Sequence, residues 1–439
     1  MTTADTLNGF IIAAPSSGSG KTFLTLSLLR AFRARGRNVG SFKVGPDYID
    51  PGFHAAASGR PCINLDPWAM RAETIQNNLA STVDSSDLVI GEGVMGLFDG
   101  AAGGNGSTAD LAESIGFPVV LVIDARGQAA SAAALVHGFA EYRPSLNLAG
   151  VIFNRVGGPR HRDMLLSAMT DRPTPVLGCV PRDAELTLPE RHLGLVLAGE
   201  HTGLEAFLER AATHIADYIN LDALAALSVR LPGAAKGITP PIPPLGQRIA
   251  VARDGAFAFA YPHVLESWSN AGAVIETFSP LANEAMPTCN AIYLPGGYPE
   301  LHAGALSANH AFMGSLKTAA KQKIPIFGEC GGYMVLGDGL IDAEGDRHSM
   351  AGLLPLETSF AERRLHLGYR DAILSTAMPF GAKGARFRGH EFHYATVLKE
   401  DGDEPVFTCR DSLGGTLGDF GRRVRSVSGS FLHLIDRRN

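Results

Sequence analysis

In the stretch Ile324-Pro325-Ile326-Phe327-Gly328-Glu329-Cys330-Gly331-Gly332-Tyr333-Met334-Val335-Leu336-Gly337, a short apolar run stops at Gly328, and after one intervening residue comes a cysteine. Two glycines and a helix-compatible segment come next. This is the pattern of a sharp strand-to-helix turn at the tip of an α/β sheet. Glycines remove Cβ atoms where the backbone must bend tightly, leaving the cysteine exposed as a nucleophile would be. A helix start also favours a thiolate over a thiol. A free cysteine in a turn is more often a small buried apolar residue, so its reading depends on the rest of the chain.

Working outward, a second strand-turn-helix lies near the start. Asn8 to Ala14 (NGFIIAA) is an apolar strand that runs into Pro15-Ser16-Ser17-Gly18-Ser19-Gly20-Lys21-Thr22, and Leu24 to Arg35 carries leucines at helical spacing. A Gly/Ser loop ending in Lys-Thr between strand and helix is the context of a P-loop. Backbone N–H groups of Ser17, Gly18, Ser19 and Gly20 can hold phosphate oxygens, Lys21 can reach the outer phosphates, and Thr22 can bind Mg²⁺. Pro15 stands where G-x-x-x-x-G-K-[ST] has its first glycine.

Further strands end in polar loops. Val39 to Phe42 leads into Lys43-Val44-Gly45-Pro46-Asp47-Tyr48-Ile49-Asp50-Pro51, and Asp87 to Ile90 leads into Gly91-Glu92-Gly93. An acid just after an apolar strand can complete Mg²⁺ coordination opposite a P-loop; Glu92 is the first candidate and Asp47 the second. Pro118 to Asp124 and Leu148 to Asn154 are near-continuous apolar runs, which suit parallel strands buried on both faces. Helical segments alternate with them, so residues 1–230 are expected to form a doubly wound α/β domain.

Residues 231–247 (LPGAAKGITPPIPPLGQ) hold five prolines and three glycines, the composition of a linker. A second doubly wound α/β pattern is expected over 248–439. In it, Asn290 to Leu294 ends in Pro295-Gly296-Gly297, where backbone N–H groups could stabilise an oxyanion. Val427 to Leu434 places His433 at the end of a late strand, as the base a thiol needs. His390 and His393 fit neither strand alternation nor a helical metal motif, so no metal is expected there.

Composition bounds the rest. The chain has 439 residues, too many for a single core, with 45% hydrophobic and 19% charged residues. A net charge of −6 argues against a general nucleic-acid surface. No apolar run nears the roughly 20 residues that span a bilayer, and the polar start lacks the layout of a signal peptide, so a cytoplasmic location is expected. The five cysteines (Cys62, Cys179, Cys289, Cys330, Cys409) contain no C-x-x-C pair and suggest neither a zinc ribbon nor a disulfide framework.

Taken together, the Cys330 turn, the Pro-Gly-Gly strand end and His433 resemble a class I glutamine amidotransferase domain. The N-terminal half resembles the dethiobiotin-synthetase-like branch of P-loop proteins, which tolerates a non-glycine at the position of Pro15. Both halves in this order resemble the cobyrinic acid a,c-diamide synthase family of cobalamin biosynthesis, whose aerobic-pathway member acts on hydrogenobyrinic acid. The match is carried by KVGPDYIDPGFH (43–54), GEGVMGLFDG (91–100), FNRVGG (153–158), LPGGYPE (294–300), FGECGGYMVLG (327–337) and FRGHEFHY (387–394).

The resemblance implies ATP and L-glutamine as co-substrates, Mg²⁺ as cofactor, a corrinoid substrate, and a passage for ammonia between two sites. It implies that Cys330 and His433 are catalytic, with Gly297 and Gly331 at the oxyanion. Lys21, Thr22, Asp47 and Glu92 fall to ATP and Mg²⁺, Lys43 to the transferring phosphate, Asn154 to adenine, and Tyr48, Ile49 and Asp50 to the substrate. The wider class has Glu two residues after the catalytic histidine, where this chain has Ile435. A dyad is therefore expected, its orienting group unassigned, with Asp436 as one substitute. Diamidation of another tetrapyrrole, such as nickel sirohydrochlorin, is the alternative within this chemistry. A P-loop ATPase switch with a C-terminal binding domain is the alternative outside it. No nucleic-acid or membrane partner is expected, and a homodimer is left open.

Overall fold

The computed structural model describes residues 6–84, 86–186, 190–191, 194–230, 239–402 and 404–438. Residues 231–238 of the expected linker lie outside them. The chain divides into two compact units: residues up to Trp68 with Ala72–Ile238, and Ala69–Arg71 with Thr239 onward.

The first unit is built on seven parallel strands. They are β1 (Thr6–Ala13), β2 (Val39–Val44), β3 (Cys62–Leu65), β4 (Leu88–Glu92), β5 (Val119–Asp124), β6 (Leu148–Val156) and β7 (Val176–Pro181), in the order β3-β2-β4-β1-β5-β6-β7. A short β8 (Ser228–Arg230) adds antiparallel to the start of β1. Residues 119–123 of β5 are buried, which is why this segment reads as an unbroken apolar run rather than an alternating one; β2 and β4 are buried throughout as well, including the polar Ser41, Lys43 and Glu92. The order reverses beside β1, which puts the loops after β1, β2 and β4 at one carboxyl edge, where ligands of open α/β sheets bind.

The second unit begins in the same way. β9 (Arg248–Ala252), β10 (Val274–Phe278), β11 (Ala291–Leu294) and β12 (Ile326–Glu329) are parallel neighbours in the order β10-β9-β11-β12. Beyond β12 the sheet takes a different form. β13 (His366–Leu374), β14 (Arg386–His393), β15 (Pro405–Arg410), β16 (Thr416–Val424), β17 (Val427–Ser430) and β18 (Leu432–Arg437) extend it as β17-β16-β15-β13-β14-β18. Only β17 runs parallel to β12, and every later pairing is antiparallel. The doubly wound half therefore continues into an antiparallel half, and β14 meets β18 with His390 opposite His433. Trp268, Tyr298, Tyr333 and Phe312 are among the largest fully buried side chains of this unit. Among the described residues, no helix is long and apolar enough to cross a membrane.

Candidate active site

In the first unit the helix Lys21–Ala34 starts at Gly20, whose φ of 93° lies in the left-handed region that glycine adopts at little cost. No side chain caps this helix, so its first N–H groups are not taken by a capping residue. A Cβ at Gly20 would collide with the Asn154 amide. That amide instead donates to Ser19 O at 3.0 Å, and Asn154 Oδ1 accepts from Arg155 N. Asn154, expected beside adenine, thus has both polar ends engaged in shaping the loop. Lys21 folds back onto the carbonyls of Ser16 (3.2 Å) and Met95 (2.6 Å). Burial pushes its ammonium down to about 8.

A dense polar cluster lies beside it. Thr22 Oγ1 donates to Glu92 Oε1 at 2.6 Å. Lys43 Nζ donates to Asp50 Oδ2 (2.5 Å) and to Glu92 Oε1 (2.8 Å). His54, which the sequence reading left without a role, lies 2.7 Å from Glu92 Oε2 through Nε2 and 3.5 Å from Cys62 Sγ through Nδ1. Burial opposes every one of these charges, and pairing overrides it at three groups. Asp50, Glu92 and Asp47 hold Lys43 well above its ordinary value, Lys43 and His54 hold Glu92 well below the carboxylate range, and Cys62 with Glu92 pushes His54 up to about 10. Asp50 goes the other way: burial and Asp47 push it up to about 7.

Asp47 is placed differently from Glu92. Its Oδ1 accepts from the N–H groups of Ile49 and Asp50 at the start of the helix Asp50–Ser58, and its other oxygen is 3.8 Å from Lys43. Tyr48 is half-buried and Ile49 buried, while the Asp50 carboxylate faces Lys43 and Thr22. Hard oxygens from a hydroxyl and carboxylates suit Mg²⁺, and the Lys43 ammonium between Asp50 and Glu92 marks a place where positive charge is already stabilised.

In the second unit Cys330 stands at the end of β12 with φ 47° and ψ −105°, a conformation L-residues rarely adopt. Its N–H bonds to Ser430 O at 2.8 Å, and the six-residue helix Gly331–Leu336 follows at once. The turn is possible because its neighbours lack Cβ atoms: one at Gly332 would collide with Leu294 O, and one at Gly328 would lie 2.7 Å from the Gly332 backbone. A Cβ at Gly331 would sit 3.1 Å from Gly297 N, so the two expected oxyanion residues are adjacent. Burial pushes the thiol above its ordinary value and Glu300 adds to this, against a hydrogen bond from Gly331 N–H. The expected thiolate-favouring helix start is thus outweighed by desolvation, and the resting group is a thiol.

His433 adjoins it. A carbon added at Gly296 would lie 3.3 Å from both Cys330 Cβ and His433 Nε2, so Nε2 faces the Cys330 side. Burial, then His390 and His393, push His433 down to about 3, leaving it neutral. Ile435 is buried, and its carbonyl accepts from His263 Nε2 at 3.0 Å. Asp436, the expected substitute, is held by Arg71, with Nη2 at 3.0 Å and the Arg71 N–H at 2.8 Å. The carboxylate next to His433 Nδ1 is Glu329 instead, at 3.9 Å. Nothing in the spacing of β12 marked Glu329, which precedes Cys330 and reads as a strand end.

Residues 248–439 match a family described as the CobB/CobQ-like glutamine amidotransferase domain, and residues 10–196 match the CobQ/CobB/MinD/ParA nucleotide binding domain. A hydrogenobyrinate a,c-diamide synthase of Rhizobium meliloti (strain 1021) is 53% identical over 435 residues, covering 98% of this chain and 99% of the relative. One from Brucella anthropi is 52% identical over 434 residues, with the same coverage. With a P-loop cluster in one unit, a Cys–His pair in the other and relatives that match from end to end, the chain belongs to the hydrogenobyrinate a,c-diamide synthase family of CobB/CobQ-like glutamine amidotransferases.

Proposed function

We propose that this chain converts hydrogenobyrinate to its a,c-diamide, using ATP to activate each carboxylate and glutamine to supply nitrogen. The observation that carries the reading is the pairing, in one chain, of the strained Cys330 turn beside His433 with the Thr22–Lys43–Glu92 cluster of a P-loop unit.

On this reading Cys330 passes its proton to His433 and attacks the glutamine side-chain carbonyl. The N–H groups of Gly297 and Gly331 face the oxyanion, and His433 returns the proton to the departing ammonia. Water then hydrolyses the thioester to glutamate. In the first unit the ATP γ-phosphoryl group moves to an acetate side chain of the macrocycle. A carboxylate is a poor electrophile until phosphate can leave, and ammonia then displaces it.

Lys21 and the amides of Ser17, Gly18, Ser19 and Gly20 hold phosphates, Lys43 meets the transferring group, and Asn154 supports the adenine side. Thr22, Glu92 and Asp47 would hold a magnesium ion, which neutralises phosphate charge when bound. Tyr48, Ile49 and Asp50 line the substrate side. The same reading places the chain in the cytoplasm, without nucleic-acid or membrane partners, and makes a homodimer the assembly to test.

The test is mass spectrometry of hydrogenobyrinate incubated with Mg-ATP and either glutamine or ammonia. Cys330→Ala is expected to abolish amidation with glutamine and to keep it with ammonia. No diamide from the parent chain with either nitrogen source would overturn the proposal.

A further inference from the structure

We propose that Glu329 is the positioning residue of His433: its carboxylate accepts the His433 Nδ1–H and thereby holds Nε2 toward Cys330. This rests on the glutaminase reading of the second unit. Glu329 Oε2 lies 3.9 Å from His433 Nδ1, and both side chains are at least 96% buried. That separation is longer than a hydrogen bond, as catalytic contacts in substrate-free enzymes often are, and it shortens as the imidazolium forms.

The carboxylate is held as an acceptor. Tyr293 OH donates to Oε2 at 2.7 Å, and the N–H of Leu434, the residue after His433, donates to Oε1 at 3.2 Å. Glu329 therefore clamps the backbone of the strand that carries the base as well as facing its ring. Tyr293 is itself fixed edge-on against Trp268, with ring centroids 5.4 Å apart, and Trp268 Nε1 donates to Ile242 O at 3.0 Å.

Other acids nearby are committed. Asp436 belongs to Arg71, and Glu391 binds Arg370 (2.5 Å) and His393 (3.1 Å). The ring is also oriented to suit: Nε2 lies on the Gly296 and Cys330 side, leaving Nδ1 toward Glu329. With Nδ1 protonated, Nε2 carries the lone pair that removes the thiol proton, and the imidazolium then has a counter-charge in a site that excludes water. Burial pushes Glu329 up to about 8, against the hydrogen bonds from Tyr293 and Leu434 N–H; the positive charge that forms on the His433 ring during catalysis works in the opposite direction and favours the carboxylate. The acid that the wider class places two residues after the histidine is here supplied from the strand before the nucleophile.

The experiment uses the full chain and its Glu329→Gln, Glu329→Asp and Tyr293→Phe variants. Glutamine hydrolysis is read as separate kcat and KM values. The substrate-independent rate at which iodoacetamide alkylates Cys330 is read beside it, with Cys330→Ala as background. In Glu329→Gln, kcat and alkylation are expected to fall on the order of 10²-fold or more with KM nearly unchanged, because an amide at this place favours the wrong tautomer. Glu329→Asp should recover part of the loss, and Tyr293→Phe should fall in between. A folded Glu329→Gln whose kcat and alkylation stay within about threefold of the parent would overturn the assignment, as would a change confined to KM. If Glu329→Gln does not fold, parent-like alkylation in Tyr293→Phe overturns it. A parent that alkylates but hydrolyses no glutamine refutes the glutaminase reading and leaves the alkylation comparison to judge Glu329.

Discussion

Adding one carbon at Gly296 tests how tightly the Cys330–His433 pair is set. The Cβ of Gly296→Ala would lie about 1 Å inside an ordinary contact with His433 Cε1, and 3.3 Å from both Cys330 Cβ and His433 Nε2. The backbone at Gly296 is not in the left-handed region, and its carbonyl bond from Phe259 N (2.8 Å) does not involve the new atom, so the variant should fold. The ring must therefore retreat by roughly 1 Å, a misplacement that costs on the order of 10²-fold in rate, or about 2.7 kcal/mol of barrier. The assay is diamide formation from hydrogenobyrinate with glutamine and, in parallel, with ammonia, which bypasses Cys330. The ratio of the two rates should fall by that factor. A ratio within about threefold of the parent's, in a folded variant, would show that a carbon at Gly296 does not displace the base from the nucleophile.

Two further outcomes follow from the first unit. Lys21→Ala should remove synthesis with either nitrogen source, measured as ADP release coupled to amidation, and substantial retained activity would contradict its place at the phosphates. Asp50 is pushed up to about 7 by burial and Asp47, so between about pH 4 and 7 the folded chain holds a proton that the unfolded chain has lost. This group therefore erodes stability as pH rises through that window. Asp50→Asn should flatten that part of the curve of unfolding midpoint against pH, and an unchanged slope would contradict the raised value.

The parts legible in the sequence were those whose signals are local. A strand, a Gly/Ser loop and a Lys-Thr pair announce a helix start that binds phosphate, and glycines around Cys330 announce a tight turn, because steric needs at one backbone position are met by residues next to it. Relations made by pairing between distant strands were not legible. His54 sits in an ordinary helical run, and only the fold brings it onto Glu92. Glu329 meets His433 because β12 pairs with β17, which leads into β18, an arrangement no spacing encodes. Asp47 shows a third case: a short acid near a helix start can bond its own backbone, and here one of its oxygens does so. The antiparallel half of the second sheet went unread because strand direction leaves little trace in composition.

The backbone at Cys330 carries a further consequence. Its dihedral angles approach those of the first central residue of a type II′ turn, a place glycine fills without strain and other residues occupy at on the order of 1–3 kcal/mol. The residue best suited to the turn is thus one that cannot attack glutamine. At this one position, random change screened only for a sturdier fold would drift toward an inert protein, and the thiol persists only where catalysis is what is being selected.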